Sequence, residues 1–227
     1  MSFSFKIELL PSFNQNPDLN FKIIVIGEAG VGKSSLTLKA IKNKYDEHYL
    51  PTIGFENLPF YLKVNDKIIK LQVWDTCGQE TYRSLIKNYY RNSSLVILVY
   101  SIDDENSFIC LKEWINEIKN NTNSKLRIFL VGNKIDIDDN KIVIDKKTAF
   151  KFYKDNKLDF FIETSAKTGY NAQNVFIQAA KMLYEDFLEN KGVNNSENND
   201  VNKIEENMEK ILIEKKGTQQ ICYSTCC

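Results

Sequence analysis

Apolar and polar positions follow two different periods along this chain. Phe21-Lys22-Ile23-Ile24-Val25-Ile26, Leu95-Val96-Ile97-Leu98-Val99-Tyr100 and Arg127-Ile128-Phe129-Leu130-Val131 are almost continuously apolar and rich in β-branched residues; Phe160-Phe161-Ile162 is a shorter run. Such runs predict strands of a parallel sheet, buried on both faces. Asn57–Val64 and Lys67–Trp74 alternate instead, and Asn65-Asp66 punctuates them, which predicts a hairpin. Helical spacing fills the intervals, at about 33–44, 145–155 and 172–187 and at Ser107–Asn120, where Phe108, Leu111, Ile115 and Ile118 share one face. Strands alternating with helices predict an α/β fold with a mostly parallel sheet, made mixed by its one hairpin.

Both ends differ from this body. Residues 1–20 form a leader with Pro11 and Pro17, in which Phe5–Leu10 reads either as a short packing segment or as featureless. Composition turns polar and Asn-rich from Glu189. Residues 189–227 carry five lysines and seven acidic residues, a net charge of −2. A segment that poor in apolar residues is expected to be disordered on its own. Ile204, Met208, Ile211 and Leu212 fall on one helical face, either a helix induced by a partner or a coincidence within a linker. The expected organisation is a leader (1–20), one domain (21–188) and a flexible tail (189–227).

Composition narrows the function classes. The 227 residues, 43% of them hydrophobic, can fill the core of one ordinary domain with some chain to spare. A formal net charge of zero provides no global field for nucleic acid or an anionic membrane. The five cysteines are too scattered for a disulfide scaffold and have no zinc-finger spacing, which suggests a reducing compartment. His48 is the single histidine, which excludes sites needing two, and it is expected to face solvent. No signal-peptide pattern opens the chain, and no apolar run approaches the roughly 20 residues that cross a bilayer. Membrane contact would have to be added chemically.

The chemistry lies in the loops. Gly27-Glu28-Ala29-Gly30-Val31-Gly32-Lys33-Ser34 fits G-x-x-x-x-G-K-[ST] between a strand and a helix. Its glycines let successive backbone N–H groups point at phosphate oxygens, and the helix N-terminus adds positive potential. Lys33 would neutralise phosphates, and the Ser34 hydroxyl would ligate Mg²⁺. Asp75, at the end of a strand beside the first, would reach a metal-bound water. Thr52, in Leu50-Pro51-Thr52-Ile53-Gly54, is the candidate second hydroxyl, carried by a segment that closes only on a nucleotide with a γ-phosphate. In Trp74-Asp75-Thr76-Cys77-Gly78-Gln79-Glu80, Gly78 would bring an N–H to that phosphate and Gln79 would orient the attacking water. No arginine lies in the phosphate loop or beside Thr52, so slow turnover accelerated by a partner is expected. In Asn133-Lys134-Ile135-Asp136, the Asp136 carboxylate can accept from guanine N1–H and N2–H₂, a donor pair that adenine lacks. Ser165-Ala166-Lys167 can offer a backbone N–H to guanine O6, and Tyr45 can pack on the base edge.

In this order and spacing, residues 21–187 resemble the small GTPases of the Ras superfamily. Ile53-Gly54-Phe55-Glu56, Lys70-Leu71-Gln72-Val73-Trp74, Tyr82-Arg83-Ser84-Leu85 and Tyr89-Tyr90-Arg91-Asn92 are similar to the Rab branch in particular. The resemblance implies a P-loop NTPase fold with a six-stranded mixed sheet, mostly parallel, and about five flanking helices. It implies Mg²⁺ and GTP or GDP, with Gln79 as the catalytic residue. Lys33 and the amides of Gly30 to Ser35 would hold phosphates, Ser34 and Thr52 the metal, and Asn133, Lys134, Asp136, Ala166 and Lys167 the base. It further implies exchange factors, activating proteins, effectors that read Phe55, Trp74 and Tyr89, and a part in vesicle transport by a monomer. Tyr45 stands where the family usually has Phe, and an aromatic edge contact survives. Cys77 stands where Rab-like proteins usually have Ala; it is either a small buried hydrophobe or a perturbation of hydrolysis and redox behaviour.

The chain ends Cys222-Tyr223-Ser224-Thr225-Cys226-Cys227. A C-a-a-X box would need Cys at 224. Terminal Cys226-Cys227 resembles the Rab signal for two geranylgeranyl groups, and two chains anchor stably where one does not. Prenylation escort and membrane-extraction proteins would then be partners, and the expected location is the cytoplasmic face of an intracellular membrane with a cytosolic pool. Three alternatives stay open: a Ras-type signalling GTPase, a P-loop kinase, and a guanine-nucleotide scaffold with impaired hydrolysis.

Overall fold

The computed structural model describes residues 5–13, 15–47, 52, 54–76, 90, 92–122 and 126–190. By internal contacts the chain divides into two units, Met1–Leu183 and Tyr184–Cys227. The first holds strands β1 (Ile7–Leu10), β2 (Leu19–Ile26), β3 (Phe55–Val64), β4 (Lys67–Thr76), β5 (Leu95–Ser101), β6 (Arg127–Asn133) and β7 (Phe160–Glu163). Its helices are α1 (Lys33–Lys42), the short α2 (Glu105–Ile109), α3 (Leu111–Asn121), α4 (Lys146–Asp155) and α5 (172–183). In the second unit, residues 184–190 are helical, with the Tyr184 and Phe187 rings stacked.

The strands form one mixed sheet in the order β1-β3-β4-β2-β5-β6-β7. β2 sits between β4 and β5 and is parallel to both, and β6 and β7 continue the parallel run. β5 is buried at every residue, as its unbroken apolar run requires. The apolar stripe of α3 buries Leu111, Trp114, Ile115 and Ile118 in the same core cluster as Val96 and Leu98 of β5. Each such burial stabilises by about 1.5–3 kcal/mol. The single helix expected over Ser107–Asn120 is broken at Cys110, whose N–H turns back to Asn106 O at 3.0 Å. Asp104 caps the first piece by accepting from Ser107 N–H.

The sheet has seven strands where six were expected, because the leader contributes β1 at the edge. β1 runs antiparallel to β3, pairing Ile7 with Val64 and Leu10 with Tyr61. The hairpin turn makes the attachment. Asn65 adopts φ +53°, donates its N–H to Lys6 O at 2.8 Å and accepts Lys6 N–H on Oδ1 at 3.0 Å. Asp18 ties the start of β2 to the same turn by accepting from Lys67 Nζ and Ile68 N–H of β4, both at 2.8 Å. The Lys67 hydrogen bond, ahead of the Ile68 one, holds its carboxyl below the usual range. Among the described residues before Phe21, Ile7–Leu10 thus belongs to the sheet and β2 already begins at Leu19. Removing residues 2–18 should cost about 2 kcal/mol of paired backbone and side-chain contact. The melting temperature should fall by about 4–8 °C in a thermal scan; an unchanged midpoint would mean that β1 adds nothing to stability.

With β2 central, the loops that follow β2, β4, β6 and β7 gather at the carboxyl ends of the parallel strands. In open α/β sheets that edge is where ligands bind.

Candidate functional site

The loop after β2 begins at Gly27, where φ is +141° and an added Cβ would lie 2.1 Å from Val99 O. Only glycine lets the loop leave β2 so close to β5. At Gly32, φ is +90° and an added Cβ would meet Asn133 Nδ2 at 2.4 Å. Gly32 is also the N-cap of α1 and accepts Leu36 N–H at 2.9 Å. No side chain caps this helix, so its first turn is left for a ligand. Lys33 is 5% exposed, and its Nζ donates to Gly27 O at 2.9 Å and to Glu28 O at 2.7 Å. A buried ammonium folded back over its own loop is suited to anionic ligand oxygens.

A cavity of about 530 Å³ opens beside this loop. It is lined by Ala29, Gly30, Gly32 and the first-turn residues Lys33, Ser34 and Ser35, by Tyr45, Asn133, Lys134, Asp136, Ala166 and Lys167, and by Thr52 and Thr76. Motifs separated by more than 100 residues thus meet around one space long enough for a nucleotide.

The Ser34 and Thr52 hydroxyl oxygens are 2.6 Å apart. Thr76 Oγ1 donates to Val25 O at 2.8 Å, which fixes the end of β4 against β2 and holds Asp75 beside them. Asp75 is 1% exposed, and its Oδ1 has no hydrogen-bond partner among the described residues. Burial pushes its carboxyl up to about 6, against the lowering effects of a Ser34 hydrogen bond and the Lys33 charge. Two hydroxyls and an orphaned carboxylate oxygen form a hard oxygen set. Among the described residues no cluster of three His, Cys, Asp or Glu could cage a metal without help. Hard oxygen donors of this kind fit a cation such as Mg²⁺, which takes few protein ligands and fills its shell with water and phosphate oxygens.

Asn133, beside Val31 and Gly32 of the phosphate loop, is 1% exposed and fully committed to structure. Its Nδ2 donates to Val31 O at 2.9 Å, and its Oδ1 accepts from Ala166 N–H at 3.1 Å and Thr164 Oγ1 at 3.2 Å. It ties the phosphate loop, β6 and the loop after β7 together. Asp136 Oδ1 accepts from Ser165 Oγ at 2.5 Å, and the same hydroxyl accepts Thr168 N–H at 3.0 Å. Ser165 is buried and orients Asp136. Lys134, at φ +70°, reaches both Asp103 oxygens at 3.4 Å. Lys167 pairs with Glu47 at 3.1 Å beside Tyr45, and the Glu47 hydrogen bond raises its ammonium above the usual range.

Several participants carry no sequence signal. Thr164, Asp103, Glu47 and Ile137 belong to no motif, yet they brace or line the cavity. Glu28 was grouped with the phosphate-binding residues, but its side chain turns away: Oε1 accepts from Trp114 Nε1 on α3 at 2.9 Å. Val31 is fully buried and offers backbone alone. Cys77, Gly78 and Gln79, His48, and Cys226 and Cys227 lie outside the described residues.

A glycine-lined phosphate loop, a hydroxyl pair and a carboxylate at the base end, on a mostly parallel sheet, define a P-loop nucleotide-binding domain. A profile of the Ras family matches residues 22–185, and the chain belongs to that family, the small GTPases.

Proposed function

We propose that this chain is a Rab-like, Mg²⁺-dependent GTP switch that hydrolyses GTP slowly and recruits effectors for vesicle transport. The observation that carries the reading is the 2.6 Å contact between Ser34 and Thr52. These hydroxyls come from the phosphate loop and from a segment 18 residues later, and one octahedral cation would take both as ligands. Bound there, Mg²⁺ would neutralise the β- and γ-phosphate charge.

The chain's own groups do the rest. Lys33 presents its ammonium to the phosphates, and the first turn of α1 presents N–H groups. Asp75 would help hold the cation by accepting from a water in its shell. Gln79 orients the attacking water, and Gly78 offers its N–H to the γ-phosphate. Asp136 reads the two guanine donors and Tyr45 covers the base edge; the Ala166 N–H, which donates to Asn133 Oδ1 at 3.1 Å, would be shared with guanine O6. Thr52 would add a contact that depends on the γ-phosphate, so its segment would report nucleotide state to effectors. Exchange factors would speed GDP release, and activating proteins would supply the charge stabilisation that no arginine of the loop provides.

Cys226 and Cys227 would carry two prenyl groups, delivered by an escort protein and shielded by an extraction protein. The location would be the cytoplasmic face of an intracellular membrane, with a cytosolic pool. The Rab-like stretches around Phe55, Trp74 and Tyr89 support this branch over a Ras-type signalling role.

Two measurements test the reading. Purified full-length chain should release phosphate from GTP, but not ATP, at a slow rate that disappears with EDTA, and Gln79→Leu should slow it further. A tagged copy should sit on one membrane, with Ser34→Asn shifted to the cytosol and Gln79→Leu retained. Identical distributions for the three forms would sink the switch. Unmodified C-terminal thiols in protein isolated from cells would sink the anchor.

A further inference from the structure

Tyr45 and Glu47, just past the end of α1, line the cavity together with Asp136 and Lys167 of the loops after β6 and β7. Glu47 Oε1 accepts from Lys167 Nζ at 3.1 Å, which joins segments 120 residues apart. The Glu47 and Lys167 side chains are 68% and 53% exposed, so the pair lies on the rim of the cavity and not at its floor. The Lys167 ammonium is also stabilised by the charges of Tyr45 and Asp136, which places it beside both groups assigned to the base. Further along, Thr52 meets Ser34 at 2.6 Å. The stretch that follows α1 is thus fastened at two points, to the base loop at Glu47 and to the phosphate loop at Thr52. A ligand under Tyr45 leaves when that stretch lifts, and lifting it at Glu47 breaks the ion pair.

We propose that the Glu47–Lys167 pair is a clasp that keeps Tyr45 over the base and slows nucleotide release, which makes Glu47 a positioning residue for nucleotide retention. This rests on the cavity holding a guanine nucleotide, and it adds a residue that belongs to none of that site's motifs. Exposed ion pairs are weak and screened by salt, so the clasp tunes the release rate and does not create the binding.

The test uses full-length protein loaded with radiolabelled GDP and Mg²⁺, and reads the rate of GDP release. Glu47→Gln keeps the shape of the side chain, removes its charge and should speed release about threefold, within the range of an exposed pair. Glu47→Lys should speed it about tenfold, because attraction becomes repulsion. Raising NaCl from about 0.05 M to about 0.5 M should narrow the gap between wild type and Glu47→Gln, since screening already weakens the intact pair. A double-mutant cycle separates the clasp from any other role of Glu47. In a Lys167→Met background, which has no ammonium to pair with, Glu47→Gln should change the release rate by less than about 1.5-fold. Circular dichroism checks that each variant keeps the fold, and Glu47 is exposed enough to be replaced without touching the core. A Glu47→Gln rate equal to wild type overturns the proposal. So does an equal acceleration in the Lys167→Met background, or a gap that salt leaves unchanged. Wild-type protein that fails to retain guanine nucleotide overturns the nucleotide reading itself.

Discussion

Lys33→Ala is expected to weaken guanine-nucleotide binding by about a thousandfold. The ammonium lost would have made charge-assisted hydrogen bonds to phosphate, worth about 1.5–3 kcal/mol each; two of them, about 4 kcal/mol, correspond to three orders of magnitude. The carbonyls of Gly27 and Glu28 also lose the Nζ they share at 2.9 and 2.7 Å, a loss that falls on the free and the bound protein alike. Lys33→Arg should not restore binding, since a planar fork replaces a compact charge that sits 5% exposed between two carbonyls. Titration calorimetry with GDP and Mg²⁺ measures the loss, and circular dichroism checks that the fold is kept. An affinity within tenfold of wild type would mean that the loop backbone and the α1 dipole suffice without the ammonium.

Asp136→Asn should change which base the cavity accepts. The Ser165 hydroxyl, 2.5 Å away, holds Asp136 as a fixed acceptor. A carboxylate accepts two hydrogen bonds from guanine N1–H and N2–H₂. An amide at the same place presents one donor and one acceptor, which matches a base with a carbonyl at C2, as in xanthine, and opposes the guanine N2–H₂. Sites that read such donors reject mismatches by about 10⁴-fold. GDP affinity should therefore fall by at least about a hundredfold while xanthosine diphosphate gains. Competition between the two nucleotides for the purified variant reads both at once. Unchanged preference would remove Asp136 from base recognition.

Much of this site was legible because its parts are contiguous in the chain. Gly27–Ser34 needs glycines at fixed offsets between a strand and a helix, and that local pattern carries its own geometry. The hairpin around Asn65-Asp66 and the buried β5 were readable for the same reason, a period of two or an unbroken apolar run. What escaped reading is non-local. Ile7–Leu10 is a strand beside a turn whose Asn65 exchanges two hydrogen bonds with Lys6, 59 residues away, while Asp18 is fastened to the start of β4. The split of the expected helix at Cys110 depends on how α2 and α3 pack, since both pieces have helical spacing. Asn133 was read by resemblance as a base contact, but its amide spans Val31, Thr164 and Ala166. Nothing within Asn133-Lys134-Ile135-Asp136 could announce those partners.

The sequence by itself determined the fold class, the phosphate loop and the residue types able to meet phosphate, cation and base, because strand, helix and turn chemistry act over a few neighbours. Only the tertiary structure decided that the leader closes the sheet edge, that Ser34 meets Thr52 beside a buried Asp75, and that Glu28 turns to Trp114. Those contacts join residues 18 to 86 positions apart, and their geometry exists only once the core has packed.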